Sequence, residues 1–326
     1  MHAFEWVDAT SVEHAVTLLA KSGSGAVAKA GGMDLLDLMK EGIVAPSRVV
    51  NLATIGGLDG IRMRPSGELE IGAMTTLASI EASGEIRERY AALSEAAAHA
   101  ATPQVRNAAT IGGNLLQKPR CWYYRNAILH TTHFGGDDPA RAGENQFHAI
   151  FDNQETSMVH ASTPATALVA FGASVELAGP DGSRRTVAVA EFLRPATWRD
   201  DRVSNIEPGE VLTHVVLPPM GGARSAYHKQ TERDSYDWPI CDVAAVLRMD
   251  GGTVQSAAIV MGWVAPVPRR ATKSEALLAG KAVDAQTAAL AAKAAVAEAT
   301  PLSKNGYKVP ILKAVVRRVI LAAAGA

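Results

Sequence analysis

Ala109-Thr-Ile-Gly-Gly-Asn-Leu115 and, earlier in the chain, Ala30-Gly-Gly-Met-Asp-Leu35 decide how this sequence is read. In the earlier stretch a strand-like run at 26–29 leads into Gly31 and Gly32 and then into a helical pattern at 34–40. Asp34 falls in the first turn, where a helix N-terminus favours negative charge. Strand, glycine pair, helix is an order that lets backbone N–H groups converge on an anion with no Cβ atoms in the way. The later stretch sets a second glycine pair between a threonine hydroxyl and an asparagine amide, groups suited to phosphate oxygens and amide-rich rings. Two such loops predict a diphosphate held from both sides. Residue types alone leave open two unrelated turns, with Arg106 and Asn107 capping the helix before them. Neither loop has the lysine and hydroxyl residue of a P-loop or the third glycine of a dinucleotide fingerprint.

Outward from these loops the chain alternates strands and helices, which implies mixed α/β or α+β layering. Ser11 is placed to cap a helix carrying Val12, Ala15, Val16 and Leu19 at helical spacing, to about Lys21. Strands are expected at 48–52 and 69–73, and helices at 76–82 and 90–101. Residues 117–157 lose all periodicity among Gly135, Gly136, Asp137, Asp138, Pro139 and Gly143, and read as a long ordered insertion. A helix at 163–171, a strand at 173–178 and a turn at Pro180-Asp-Gly182 follow. A strand at 211–217 ends at Pro218-Pro219, and Gly221-Gly222 marks a domain boundary, giving domains 1–219 and 220–326. Strands at 242–249 and 253–260 flank Asp250-Gly-Gly252, a hairpin signal. Alanine-rich helices are expected at 285–299 and 311–323.

With 326 residues the chain is long enough for about two cored domains. Its 32 Lys+Arg against 33 Asp+Glu, a net charge of −1, argue against a nucleic-acid groove or a polybasic membrane surface. No run approaches the roughly 18 apolar residues of a membrane span, and the first residues lack a signal-peptide pattern. Two cysteines, Cys121 and Cys241, supply neither a disulfide framework nor a four-thiolate metal site.

Both glycine stretches, together with Ile71-Gly-Ala-Met-Thr75, Pro103-Gln-Val-Arg-Asn107, Gly262-Trp-Val-Ala-Pro-Val-Pro268 and Asn305-Gly-Tyr-Lys-Val309, occur in the order found in the FAD-binding middle subunits of molybdenum hydroxylases. The chain resembles that family, which includes the flavin subunits of xanthine dehydrogenases, aldehyde oxidoreductases and carbon monoxide dehydrogenases, over nearly its whole length. The resemblance implies an α+β fold: a two-part FAD-binding domain similar to the vanillyl-alcohol oxidase type, then a smaller domain of antiparallel sheet and helices. It implies that Ala28, Lys29, Ala30, Gly31, Gly32, Met33, Asp34 and Leu35 form one cofactor loop. The second loop would comprise Gln104, Ala109, Thr110, Gly112, Gly113, Asn114 and Leu115. It also implies Leu212 against the flavin, Lys229 near the isoalloxazine, and Thr163 at a cofactor contact. The chain departs from the family pattern at Met33, where threonine is usual, and at Thr163, where an aspartate is usual. A third departure is Ala100, where some relatives carry an aromatic residue against adenine.

The stretch Leu115-Leu-Gln-Lys-Pro-Arg-Cys-Trp-Tyr-Tyr-Arg125 resembles the subclass whose insertion carries a [4Fe–4S] cluster. That subclass needs several cysteines, and Cys121 is alone here, so no [4Fe–4S] cluster is expected and no metal ligands are assigned. Cys121, His130 and His133 are usable ligand types without a metal-motif spacing, and Trp122, Tyr123 and Tyr124 are expected to pack the loop. The resemblance implies an electron-transfer subunit: FAD on this chain, the molybdenum cofactor and [2Fe–2S] clusters on separate partner chains, and no hydroxylation by this chain alone. It would be cytoplasmic, or periplasmic if a partner carries an export signal. A flavin-free assembly scaffold and a stand-alone flavin oxidase stay open as alternatives.

Overall fold

The computed structural model describes residues 1–21 and 25–325. A first, parallel sheet has the order β1 (Glu5–Asp8), β3 (Arg48–Asn51), β2 (Ala26–Lys29). Parallel neighbours need crossovers, which the helices Val12–Lys21 and Leu35–Lys40 supply. Ser11 caps the first of these by accepting the His14 N–H at 3.1 Å. Strand β1 was not foreseen; it is a short edge strand whose residues are mostly exposed, so it carries no alternation to read.

A second sheet is antiparallel throughout, in the order β4 (Ile61–Met63), β5 (Leu69–Gly72), β8 (Val211–Leu217), β6 (Ser174–Ala178), β7 (Arg184–Ala188). Leu69, Ile71, Val175, Val215 and Leu217 point from it into one core with the helices Leu77–Ala82, Ala91–Ala98 and Thr163–Phe171. Every residue of the last helix is buried, which explains its want of a polar stripe; Ser162 caps its start and Gly172, at φ 67°, ends it.

The third sheet runs β12 (Arg269–Arg270), β11 (Thr253–Gly262), β10 (Cys241–Asp250), β9 (Arg224–Gln230). Gly251 and Gly252 join β10 to β11 with φ of 52° and 87°, the positive pair that a two-residue hairpin turn requires. Strand β10 is buried on both faces. Ala244 and Tyr227 face the core of the preceding domain, and Val243, Ala245 and Leu247 face the helices Ala285–Ala295 and Lys308–Ala324. The first of these alanine-rich helices stops four residues short of the expected 299.

Residues 117–157 are ordered, as expected, but not without helix: Ala127–His133 is helical, capped by Asn126, which accepts the Leu129 N–H. Asp138 gathers the segment, accepting from Ala140 N–H at 3.0 Å, Ser157 N–H at 2.6 Å and Trp198 Nε1 at 3.2 Å. The C-terminal helix pins it from the other side. Lys308, wholly buried, donates to the carbonyls of Trp263, His148 and Phe147 at 2.7, 3.1 and 3.2 Å. Burial pushes its ammonium down to about 7. Among the described residues no helix is long and apolar enough to cross a membrane.

Candidate functional site

The first glycine loop leaves β2, and the second opens the helix Ile111–Leu115; they meet where a Cβ on Gly31 would lie 2.0 Å from the Ala108 carbonyl oxygen. Gly31 is therefore glycine for close packing of loop on loop. Gly32 is glycine for its backbone, at φ 81°. Together the loops, β8, β9 and the start of the insertion enclose a cavity of about 590 Å³.

All but three of the expected cofactor residues border this cavity: Ala28, Ala30, Gly31, Gly32, Met33, Asp34 and Leu35 from the first loop, Ala109, Thr110, Gly112, Gly113 and Asn114 from the second, and Thr163, Leu212 and Lys229. Lys29 turns away, its ammonium 5.5 Å from the Trp6 ring and 3.4 Å from Asn51 Oδ1, beside a separate cleft of about 550 Å³. Gln104 is exposed on the short helix Pro103–Arg106, and Leu115 points into the apolar core.

The two loops differ in what they can offer an anion. In the second, every N–H from Ile111 to Asn114 is already spent, on Thr75 O, Ala73 O, Thr110 Oγ1 and Thr110 O in turn. In the first, the N–H groups of Gly31, Gly32 and Met33 have no acceptor among the described residues. A concave run of free amides at a cavity wall fits a pyrophosphate, so the donor set suits FAD, with the second loop adding the Asn114 amide. Asp34 does not serve its own helix; it makes no cap, accepts the Lys118 N–H at 2.8 Å and pairs with Arg120 at 3.0 Å and Arg125 at 2.7 Å.

On the cavity wall Lys229 donates to the His99 carbonyl at 2.8 Å, and burial lowers its pKa. The sequence reading missed three other residues of the cavity wall. The Arg120 guanidinium lies 5.1 Å over the Trp238 ring, which in turn lies 5.5 Å from Trp263, and all three border the cavity. Trp263 stands inside a motif already quoted, and its φ of 61°, rare for a bulky residue, is visible only in the fold. Arg106 is more than a cap: it is buried, pairs with Glu81 at 2.8 Å and donates to the Ala100 and Ala101 carbonyls at 3.0 and 3.3 Å, fixing the turn that borders the cavity.

No set of metal ligands forms in the insertion among the described residues. Cys121 Sγ lies 3.1 Å from His148 Nε2, not with His130, whose ring packs on Tyr124 at 4.8 Å. Tyr123 and Tyr124 do pack there; Trp122 stays part-exposed against Phe147. Cys241 belongs to a different core. The grouping Glu70, Glu176 and His214 elsewhere has its carboxylates already paired with Arg62 and Arg64.

Residues 2–220 match the family described as the FAD binding domain in molybdopterin dehydrogenase, and residues 226–323 match the CO dehydrogenase flavoprotein C-terminal domain. The chain is 33% identical to the aldehyde oxidoreductase FAD-binding subunit PaoB of Escherichia coli (strain K12), over 91% of each chain. It is 30% identical to the carbon monoxide dehydrogenase medium chain of Hydrogenophaga pseudoflava, over 98% of this chain and 96% of that one. A solved structure of carbon monoxide dehydrogenase from Hydrogenophaga pseudoflava superposes with a TM-score of 0.78 at 31% identity, covering 99% of this chain and 98% of its counterpart. Two domain matches in the expected order, a shared fold and this identity lead to one conclusion: the chain belongs to the FAD-binding subunits of the molybdenum hydroxylase family.

Proposed function

We propose that this subunit holds FAD in the 590 Å³ cavity and passes electrons from [2Fe–2S] clusters on a small partner chain to an external acceptor, while a separate molybdenum-cofactor subunit oxidises the substrate. The observation that carries this reading is the row of free amides at Gly31, Gly32 and Met33 in the same cavity wall system as Leu212 and Lys229. Flavin supplies the junction chemistry, taking electrons singly and releasing them in pairs. The chain's own residues do the rest. The first-loop amides would hold the pyrophosphate, and Asn114 would add a side-chain amide. Leu212 would keep water from the ring, and the Lys229 ammonium would favour negative charge on it.

We assign no [4Fe–4S] cluster to the insertion, since its one thiol is hydrogen-bonded to His148 and pushed up to about 12 by burial. The complex would reside in the cytoplasm, or in the periplasm if a partner carries an export signal. Purification of the tagged subunit from its own host tests the whole reading. A flavin spectrum, two co-purifying chains and no iron in the separated subunit are expected. A colourless subunit would favour the scaffold reading, and a lone subunit turning over a substrate would favour the stand-alone oxidase.

A further inference from the structure

Behind the cavity wall at Lys229 lies a carboxylate to which the flavin reading gives no role. Asp242 is wholly buried and faces Lys229 across the β9–β10 ladder. Its Oδ2 accepts from the Tyr227 hydroxyl at 2.8 Å, and its Oδ1 accepts from the Thr166 hydroxyl at 2.9 Å. A Cβ on Gly262 would stand 2.0 Å from Oδ1 and 2.1 Å from Thr166 Oγ1, so the missing side chain there makes room for the carboxylate. Thr163, on the cavity wall, donates to the Ala96 carbonyl at 3.1 Å, and Thr166, three residues on in the same helix, carries the hydroxyl that reaches the acid.

Burial favours the neutral acid, and the two hydroxyl donors and Lys229 favour the carboxylate; burial prevails and pushes Asp242 up to about 7. Other titratable groups surround it, among them Glu95, whose own carboxyl is raised by burial. Cys241, next in β10, is held as a thiol by burial, and Tyr227 is pushed well above its usual range. From the helix Ala91–Ala98, Glu95 accepts the Tyr227 N–H at 3.2 Å, and His99 lies 6.4 Å from the Tyr227 ring. An acid poised between its two forms beside a redox site responds to charge there by linkage.

We propose that Asp242 is a proton-coupled counter-charge for the flavin site: electrons arriving at the flavin draw one proton from solvent onto its carboxylate, and their departure to the acceptor releases it. The donor of the electrons is the partner's [2Fe–2S] cluster and the source of the proton is water, so charge is conserved at each stage. Asp242 touches neither cofactor nor acceptor; it is a positioning residue acting through Lys229 and Tyr227. The inference rests on the FAD reading above.

The test is the flavin midpoint potential of the FAD-loaded complex against pH, for the wild type and Asp242→Asn. Where the wild-type acid is already protonated, near pH 5.5, the two potentials should coincide. As pH rises past neutrality the wild type should fall progressively below the variant. Should Asp242→Asn fail to fold, Tyr227→Phe keeps the carboxylate but removes a donor, and should move the pH-sensitive window upward. A gap that is the same at every pH, or a window unmoved by Tyr227→Phe, would overturn the inference while leaving FAD in place. A wild-type subunit without flavin would overturn the FAD reading and this inference with it.

Discussion

Arg125 Nη2 lies 2.7 Å from Oδ1 of Asp34, so the far end of the insertion's first turn is fastened to the first glycine loop itself. Arg125 also reaches Asp37 at 3.1 Å, and Arg120 shares Asp34 from the same segment. The insertion is thus part of the cavity's frame.

Arg125→Ala should loosen that frame. Both side chains are largely buried, but Asp34 keeps Arg120 and the Lys118 N–H, so a cost of about 2 kcal/mol is expected, below that of stripping a fully buried charge. Urea unfolding should register it, together with weaker flavin retention. Unchanged stability and retention would mean that the insertion is held elsewhere.

The glycines of the first loop should fail in different ways. Gly32→Val places a β-branched residue at φ 81°, costing on the order of 1–2 kcal/mol in backbone strain, and should give a folded chain without flavin. Gly31→Ala drives a Cβ into the Ala108 carbonyl and should lower the melting temperature itself. Gly113→Val, whose Cβ would lie 3.1 Å from the Thr110 hydroxyl that caps it, should also lose flavin. Stoichiometric FAD in both valine variants would remove the pyrophosphate from these loops.

Lys229→Ala should lower the flavin potential by roughly 50 mV, the scale of one part-screened charge a few ångströms from the ring. Among the described residues its ammonium bonds to the His99 carbonyl alone, so folding should change little. Spectroelectrochemical titration decides the matter, and an unaltered potential would make Lys229 a solvated strand residue.

Acid should weaken the fold through two histidines. Burial pushes His148 and His160 down to about 4. The unfolded chain then binds their protons more readily, and stability present above about pH 6.5 is lost as pH falls toward 4, by roughly 3 kcal/mol for each. Asp242, raised rather than lowered, works in the opposite sense over the same range. The measurement is therefore a comparison: His160→Gln should flatten the denaturation profile relative to the wild type between pH 6.5 and 4, and parallel profiles would contradict it.

What local pattern encodes was legible beforehand. Ser11, the Gly251-Gly252 turn and the fully buried helix Thr163–Phe171 each depend on neighbours a few positions away. The helix Ala127–His133 was not read because none of its residues is buried, so it shows no apolar stripe. The symmetry expected of the two glycine loops failed for a tertiary reason: Thr75 and Ala73, just past the end of β5, consume the amides of Ile111 and Gly112. The Arg120–Trp238–Trp263 stack joins three distant segments, and no spacing rule connects them.

The buried Lys308 also sets an order in time. Three carbonyls, at Phe147, His148 and Trp263, wait for its ammonium, and Asn305 adds bonds to His148 and Ala149. A ribosome makes these partners well before it makes residue 308, at about 5–20 residues per second. The middle of this polypeptide is therefore sealed by the later helix Lys308–Ala324, and a nascent chain halted before Lys308 would emerge with its insertion unlatched.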